Sequence, residues 1–178
     1  MEEQVQEVYS AAAIAERVQA LAGEITKAYE GRELAVLGVL EDGFVFLADL
    51  LRAVKVPVRT AFLRFRHNSL AGVQDLSFST QMDLTGRDVL LVEGVLDTGV
   101  TQEYLIKQLE SRGAASVKLC VLLDKPDRRR VGLKADWSAF EAPEGYLFGY
   151  GLGFQERWRE LPFIATLADE HVDQVNET

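Results

Sequence analysis

Three short, nearly uninterrupted apolar runs limit what this chain can fold into. Glu33–Leu40 reads Glu-Leu-Ala-Val-Leu-Gly-Val-Leu, Asp88–Glu93 reads Asp-Val-Leu-Leu-Val-Glu, and Val117–Asp124 reads Val-Lys-Leu-Cys-Val-Leu-Leu-Asp. A strand with one wet face alternates apolar and polar residues; one covered on both faces does not, and that is the condition of an inner strand in a parallel sheet. The segments between have helical spacing. Ala13, Ile14, Val18, Leu21, Ile25 and Tyr29 recur on one face of residues 10–30, with Ser10 as the expected N-cap and Gly31 as the stop. Phe44–Val54 and Thr101–Arg112 are further helices, the latter ended by Gly113, and Val58–Phe65 is rich in β-formers. Strand and helix in alternation predict βαβ units: an α/β fold with a mostly parallel sheet flanked by helices on both faces. Residues 66–86 break the pattern and are expected to be a loop or an extended, flexible flap, a length that in a compact domain usually has a function or is mobile.

The chain has 178 residues, enough for one domain with its own core, and residues 1–178 are read as that single domain. A formal net charge of −9 opposes general nucleic-acid binding, since a phosphate backbone would be repelled. Arg128-Arg129-Arg130 is a short basic cluster expected to be solvated loop. No apolar run approaches membrane-spanning length, and the opening Met-Glu-Glu-Gln lacks the features of a signal peptide, so a cytoplasmic location is expected. The lone cysteine, Cys120, lies inside an apolar run and reads as a small buried hydrophobe.

Ligands of open α/β sheets bind beyond the carboxyl ends of the strands. After the strand ending at Glu93 comes Gly94-Val95-Leu96-Asp97-Thr98-Gly99-Val100-Thr101, then a helix. A turn of small and hydroxyl residues before a helix N-terminus suits an anion: the first helical N–H groups lack partners and the helix dipole favours negative charge there. Asp97, Thr98, Gly99, Val100 and Thr101 are the phosphate-binding candidates. An ordinary N-cap, with Asp97 or Thr98 serving the helix itself, is the alternative reading of the same residues.

The segment Leu91–Thr101 resembles the signature of type I phosphoribosyltransferases: apolar residues, two acids, two apolar residues, then Asp-Thr-Gly and Thr. Leu37–Phe44 resembles the family's pyrophosphate loop, and Leu122-Leu123-Asp124-Lys125-Pro126 the strand end with its purine-reading lysine. Phe148-Gly149-Tyr150-Gly151-Leu152, with Arg157, Arg159 and Leu161-Pro162 behind it, resembles the C-terminal segment of the hypoxanthine/guanine branch. The resemblance runs in order over roughly residues 5–170. It implies the type I phosphoribosyltransferase fold with a small C-terminal hood, and homodimers or homotetramers. It gives Asp97 the acid/base role near the purine N7 and Glu93 the ribose hydroxyls. Lys125 would donate to the purine 6-oxygen, and Tyr146, with Leu147 beside it, would stack on the base.

Six positions depart from the family pattern. Glu41 and Asp42 replace a lysine and a glycine of the pyrophosphate loop. Gly94 replaces the second acid of the signature, Gly153 a magnesium-linked aspartate, and His67-Asn68 the Ser-Tyr pair of the catalytic lid. Two carboxylates in a pyrophosphate cradle are expected to reverse the local field, at a cost on the order of 1 to 4 kcal/mol per unscreened contact. Three readings follow. The chain binds a purine nucleotide of GMP or IMP type with catalysis from phosphoribosyl pyrophosphate (PRPP) weak or lost. Or it is an active hypoxanthine/guanine phosphoribosyltransferase of purine salvage with a rewired metal site, in which case Mg2+ is its cofactor. Or it is a structural relative without ligands. No metal-binding set is identified.

Overall fold

In the computed structural model, which describes residues 5–68, 73–78 and 82–167, the three apolar runs form the centre of a six-stranded sheet. The chain begins with β1 (Val5–Tyr9) and α1 (Ala11–Ala28), then β2 (Leu34–Leu40), α2 (Phe44–Ala53), β3 (Val58–Asn68) and β4 (Val73–Phe78). It continues through β5 (Asp88–Leu96), α3 (Val100–Ser111), β6 (Ser116–Asp124), β7 (Trp137–Glu141), β8 (Leu147–Phe148) and β9 (Ile164–Leu167). The order across the large sheet is β4-β3-β2-β5-β6-β7, parallel except for the β3–β4 pair.

Successive side chains of these strands enter opposite cores, which is why the runs do not alternate. Leu34 and Val36 of β2, Leu90 and Val92 of β5, and Cys120 and Leu122 of β6 pack with Ile14, Val18, Leu21 and Ile25 of α1 and Phe46, Leu47 and Leu50 of α2. Ala35, Leu37, Val89, Leu91, Leu119 and Val121 pack instead with Leu105 and Leu109 of α3. Burying one such leucine stabilises the fold by about 1.5–3 kcal/mol. Ser10 caps α1 as expected, its hydroxyl accepting from the Ala13 N–H at 3.2 Å. Cys120 is wholly buried, and burial pushes its thiol pKa up.

The structure adds three details to this outline. Within the segment expected as a loop or extended flap, β3 runs on to Asn68, and β4 pairs with it antiparallel from Leu63↔Phe78 to Asn68↔Val73. Backbone pairing holds such an arm, so side-chain periodicity does not reveal it. Residues 69–72 and 79–81 of the expected flap lie outside the described residues. The small hood formed by β8 and β9 also takes in β1, since β9 pairs on one side with β8 and on the other with β1. The five-residue edge strand β7 extends the parallel sheet beyond β6, with Ala139 in the core and Trp137 and Phe140 packed against it.

Successive crossovers leave β2 and β5 in opposite directions: α2 leads to β3 on one side, and α3 leads to β6 on the other. The switch point therefore lies between β2 and β5, the place where open sheets open a crevice.

Candidate active site

Four turns meet at the carboxyl end of the parallel strands. At the end of β5, Asp97 and Thr98 lead into Gly99, whose φ of +80° is left-handed and favours glycine. No side chain caps α3 behind it, in contrast to α1. The N-cap position is Gly99, so Asp97 and Thr98 do not occupy it.

The carbonyl side of the turn is held by Arg129. Its Nη1 donates to the carbonyls of Leu96 (3.0 Å) and Asp97, and its Nη2 pairs with the Asp124 carboxylate at the end of β6. The side chain is only 11% exposed. The Arg130 N–H donates to the Thr98 carbonyl at 2.9 Å, and Arg128 Nε donates to Asp97 Oδ1 at 2.7 Å. The basic cluster expected to be solvated is thus wrapped around the turn. The carbonyls of Leu96, Asp97 and Thr98 are thus all engaged from the arginine side.

Glu93 sits at the switch point, partly buried, with Gln102 Nε2 of α3 donating to its Oε2 at 2.8 Å. Burial pushes its carboxyl pKa up to about 7; the Gln102 hydrogen bond works the other way, and the nearby Asp42 charge adds to the rise. Gln102, itself 7% exposed, is a site residue that the sequence reading missed.

On the far side of the turn, the Lys125 N–H donates to the Leu96 carbonyl and its Nζ to the Gly145 carbonyl at 3.0 Å. A cavity of about 340 Å³ opens there, bounded by Lys125, Arg128, Glu141, Pro143, Glu144 and Gly145. Tyr146 is not a core residue. It is 61% exposed, with its ring edge-on to Phe154 at 5.2 Å between centroids, while Leu147 is buried.

The last turn follows β2, across a cis peptide bond between Leu40 and Glu41. Glu41 and Asp42 do not present unanswered negative charge, contrary to the expected field reversal. Arg159 pairs with Asp42, its Nη2 lies 4.0 Å from Glu41 Oε2, and Arg64 Nη2 lies 3.4 Å from Glu41 Oε1. The structure thus brings together Glu41, Asp42, Glu93 and Gly94 at the switch point, with Asp97–Thr101 beside them and Lys125 beyond. His67 and Asn68 lie apart, near the end of β3, in register with Gln74 and Val73.

A family model of the phosphoribosyl transferase domain matches residues 4–157. The chain belongs to the phosphoribosyltransferase family. Within that family it falls in the hypoxanthine/guanine branch. A hypoxanthine-guanine phosphoribosyltransferase of Lactococcus lactis is 37% identical over 161 residues, 88% of this chain and 87% of that protein. One from Bacillus subtilis is 34% identical over 158 residues, 86% of this chain and 88% of that protein. The hypoxanthine phosphoribosyltransferase of Trypanosoma cruzi, solved in complex with its product IMP, superposes with a TM-score of 0.88 at 33% identity, covering 96% of this chain and 98% of that one.

Magnesium, the metal that the family resemblance implies, does not fit the residues present. Among the described residues no three of His, Cys, Asp or Glu gather as a metal site. Gly94 and Gly153 carry no donor, and Asp42 and Glu41 are engaged by arginines.

Proposed function

We propose that this phosphoribosyltransferase relative binds a purine nucleoside 5′-monophosphate of IMP or GMP type, and that its PRPP-dependent turnover is weak. The observation that carries the reading is the Asp97–Thr101 turn, whose carbonyls are drawn off by Arg129 and whose following helix no side chain caps. The phosphate sits on the amides of that turn, with the Thr98 and Thr101 hydroxyls as further donors. The ribose hydroxyls donate to Glu93 in its ionised form. Lys125 leaves the Gly145 carbonyl to donate to the purine 6-oxygen, and Tyr146 supplies an exposed ring for the base, next to Leu147. Transfer forms a bond from the base nitrogen to C1 of the sugar and breaks the C1–O bond to pyrophosphate. Asp97 handles the proton near N7, and the rest is positioning and stabilisation of the oxocarbenium-like centre and the leaving group. The leaving-group side is where Glu41, Asp42, Gly94 and Gly153 stand, which is why turnover is weak. The same proposal extends to a single-domain chain with residues 66–86 as its flap, assembling as a homodimer or homotetramer in the cytoplasm.

The test is calorimetric titration with IMP, GMP and PRPP in parallel. The expected result is binding of a monophosphate without comparable binding of PRPP. A second reading, a working hypoxanthine/guanine enzyme of purine salvage, is favoured by the 37% identity to the Lactococcus lactis protein of that name. Turnover of hypoxanthine or guanine at a rate matching that relative would replace the first reading with the second.

A further inference from the structure

Arg159 belongs to the segment after β8, yet its guanidinium lies over the turn that follows β2. Nη1 donates to the Asp42 carboxylate and, at 2.6 Å, to the Gly151 carbonyl, while Nη2 lies 4.0 Å from Glu41 Oε2. The packing around this group is fitted to it. A Cβ at Gly153 would lie 2.6 to 2.7 Å from the Cζ, Nε and Nη2 atoms of Arg159, so the guanidinium fills the space such a side chain would need. A Cβ at Gly94 would come within 3.0 Å of the Asp42 carbonyl group and of Leu152 Cδ2, so the turn backbone closes that position as well. The two places where a carboxylate could face a cation across the switch point are therefore occupied, one by the backbone of the turn and the other by a fixed positive charge. A guanidinium cannot lose its proton in a protein, and its planar fork suits a carboxylate and a phosphate equally. While Asp42 and Gly151 hold Nη1, those donors are not available to an outside anion.

We propose that Arg159 is the built-in cation of this site in place of a divalent metal, and that Asp42, with Glu41 behind it, holds the arginine as an internal anion. The site then accepts a purine nucleoside 5′-monophosphate without metal and is closed to free pyrophosphate. The monophosphate half rests on the function proposed above; the pyrophosphate half reads the clamp itself.

The experiment is calorimetric titration of the full chain with IMP and, separately, with inorganic pyrophosphate, each in EDTA and in magnesium. IMP affinity should agree within about twofold between the two buffers, and inorganic pyrophosphate should give no binding up to about 1 mM. Asp42→Asn keeps the shape of the turn and removes the charge; in EDTA it should bind pyrophosphate at least about tenfold more tightly than the unmodified protein does. Glu41→Gln, at an exposed position, should shift affinity the same way by less. Adding Arg159→Met to Asp42→Asn should abolish the gain, which identifies the arginine as the cation. The proposal is overturned if magnesium raises the affinity of the unmodified protein for either ligand about tenfold or more. It is overturned equally if Asp42→Asn and Glu41→Gln both leave pyrophosphate binding unchanged. Silence toward IMP in both buffers overturns the monophosphate reading alone.

Discussion

Burial moves the Glu93 carboxyl well away from its chemistry in water. A carboxyl that titrates near 4.5 in the unfolded chain titrates at about 7 in the fold, chiefly because it is desolvated. Below pH 4.5 both states hold the proton and the group is neutral toward stability. Between 4.5 and 7 the unfolded chain releases its proton while the folded chain keeps it, so stability falls as pH rises, and above 7 the full penalty is present. The shift corresponds to a ceiling of about 3 kcal/mol. Glu93→Gln can still accept from Gln102 and has no proton to lose. Its stability relative to the unmodified protein should therefore grow from pH 5 to pH 8, approaching that ceiling, when urea unfolding is followed across the range. Parallel pH profiles for the two proteins would refute the assignment. Gly99 makes a second residue-scale case. Its φ of +80° is strained for any other residue, and a Cβ there would stand 2.9 Å from Arg129 Cδ and Val131 Cγ2. Left-handed backbone at a β-branched residue costs roughly 1–2 kcal/mol before any clash. Gly99→Val should therefore lower the unfolding midpoint and abolish monophosphate binding together; calorimetric affinity left unchanged would remove the turn from the site.

Among elements, the legible ones were those whose own side chains decide their state. β2, β5 and β6 declared themselves because they are buried on both faces, and α1 because Ser10 begins it and an apolar face runs through Ile25. β1, β7, β8 and β9 are two to five residues long and exist by pairing, which no local pattern records. The site divides in the same way. The Asp97–Thr101 turn could be read because strand, turn and helix are contiguous there. Arg129 acts across 33 residues on Leu96, and Arg159 across 117 on Asp42, so their partners become visible only in three dimensions. Arg129 ties the end of β5 to the end of β6, and a prediction follows at that scale. Arg129→Met leaves Asp124 without its partner and the Asp97 carbonyl without its arginine donor, while the Leu96 carbonyl keeps the Lys125 N–H. A lost hydrogen bond to a charged group costs about 1.5–3 kcal/mol. Thermal unfolding should register a loss of that order, with monophosphate affinity falling too. Arg128→Met, at an exposed position on the same turn, should spare stability. Equal destabilisation by both substitutions would mean that the turn is not held through Arg129.

For the whole molecule, the arrangement of the hood has the widest consequence, because both ends of the described chain build it. β1 flanks β9, β9 flanks β8, and β8 lies directly after Tyr146, so the proposed purine side of the site depends on the strand Val5–Tyr9. Tyr9 adds a stacked contact with Phe140 at 4.1 Å and donates from its hydroxyl to the Glu141 carbonyl, joining the hood to the end of β7 beside the cavity. The phosphate turn, by contrast, is built on β5 and α3 in the middle of the sheet. Removing residues 1–9 should therefore separate the two halves of the site, loosening the hood while the parallel sheet keeps its order. The two tryptophans can report on the halves independently. Trp158 stacks in the hood with Phe148 and Phe154, and Trp137 lies in β7, 6.2 Å from Tyr29 of the α1 side. In the shortened chain carrying Trp137→Phe, Trp158 emission should shift to the red and become accessible to iodide. In the chain carrying Trp158→Phe, Trp137 should remain shielded. Affinity for IMP should fall at least about tenfold, a loss of roughly 1.4 kcal/mol, while inorganic phosphate, which needs only the Asp97–Thr101 turn, should bind as before. If Trp137 and Trp158 become exposed together, the hood and the sheet unfold as one unit, and the division of the site into a sheet-borne phosphate half and a hood-borne purine half is wrong.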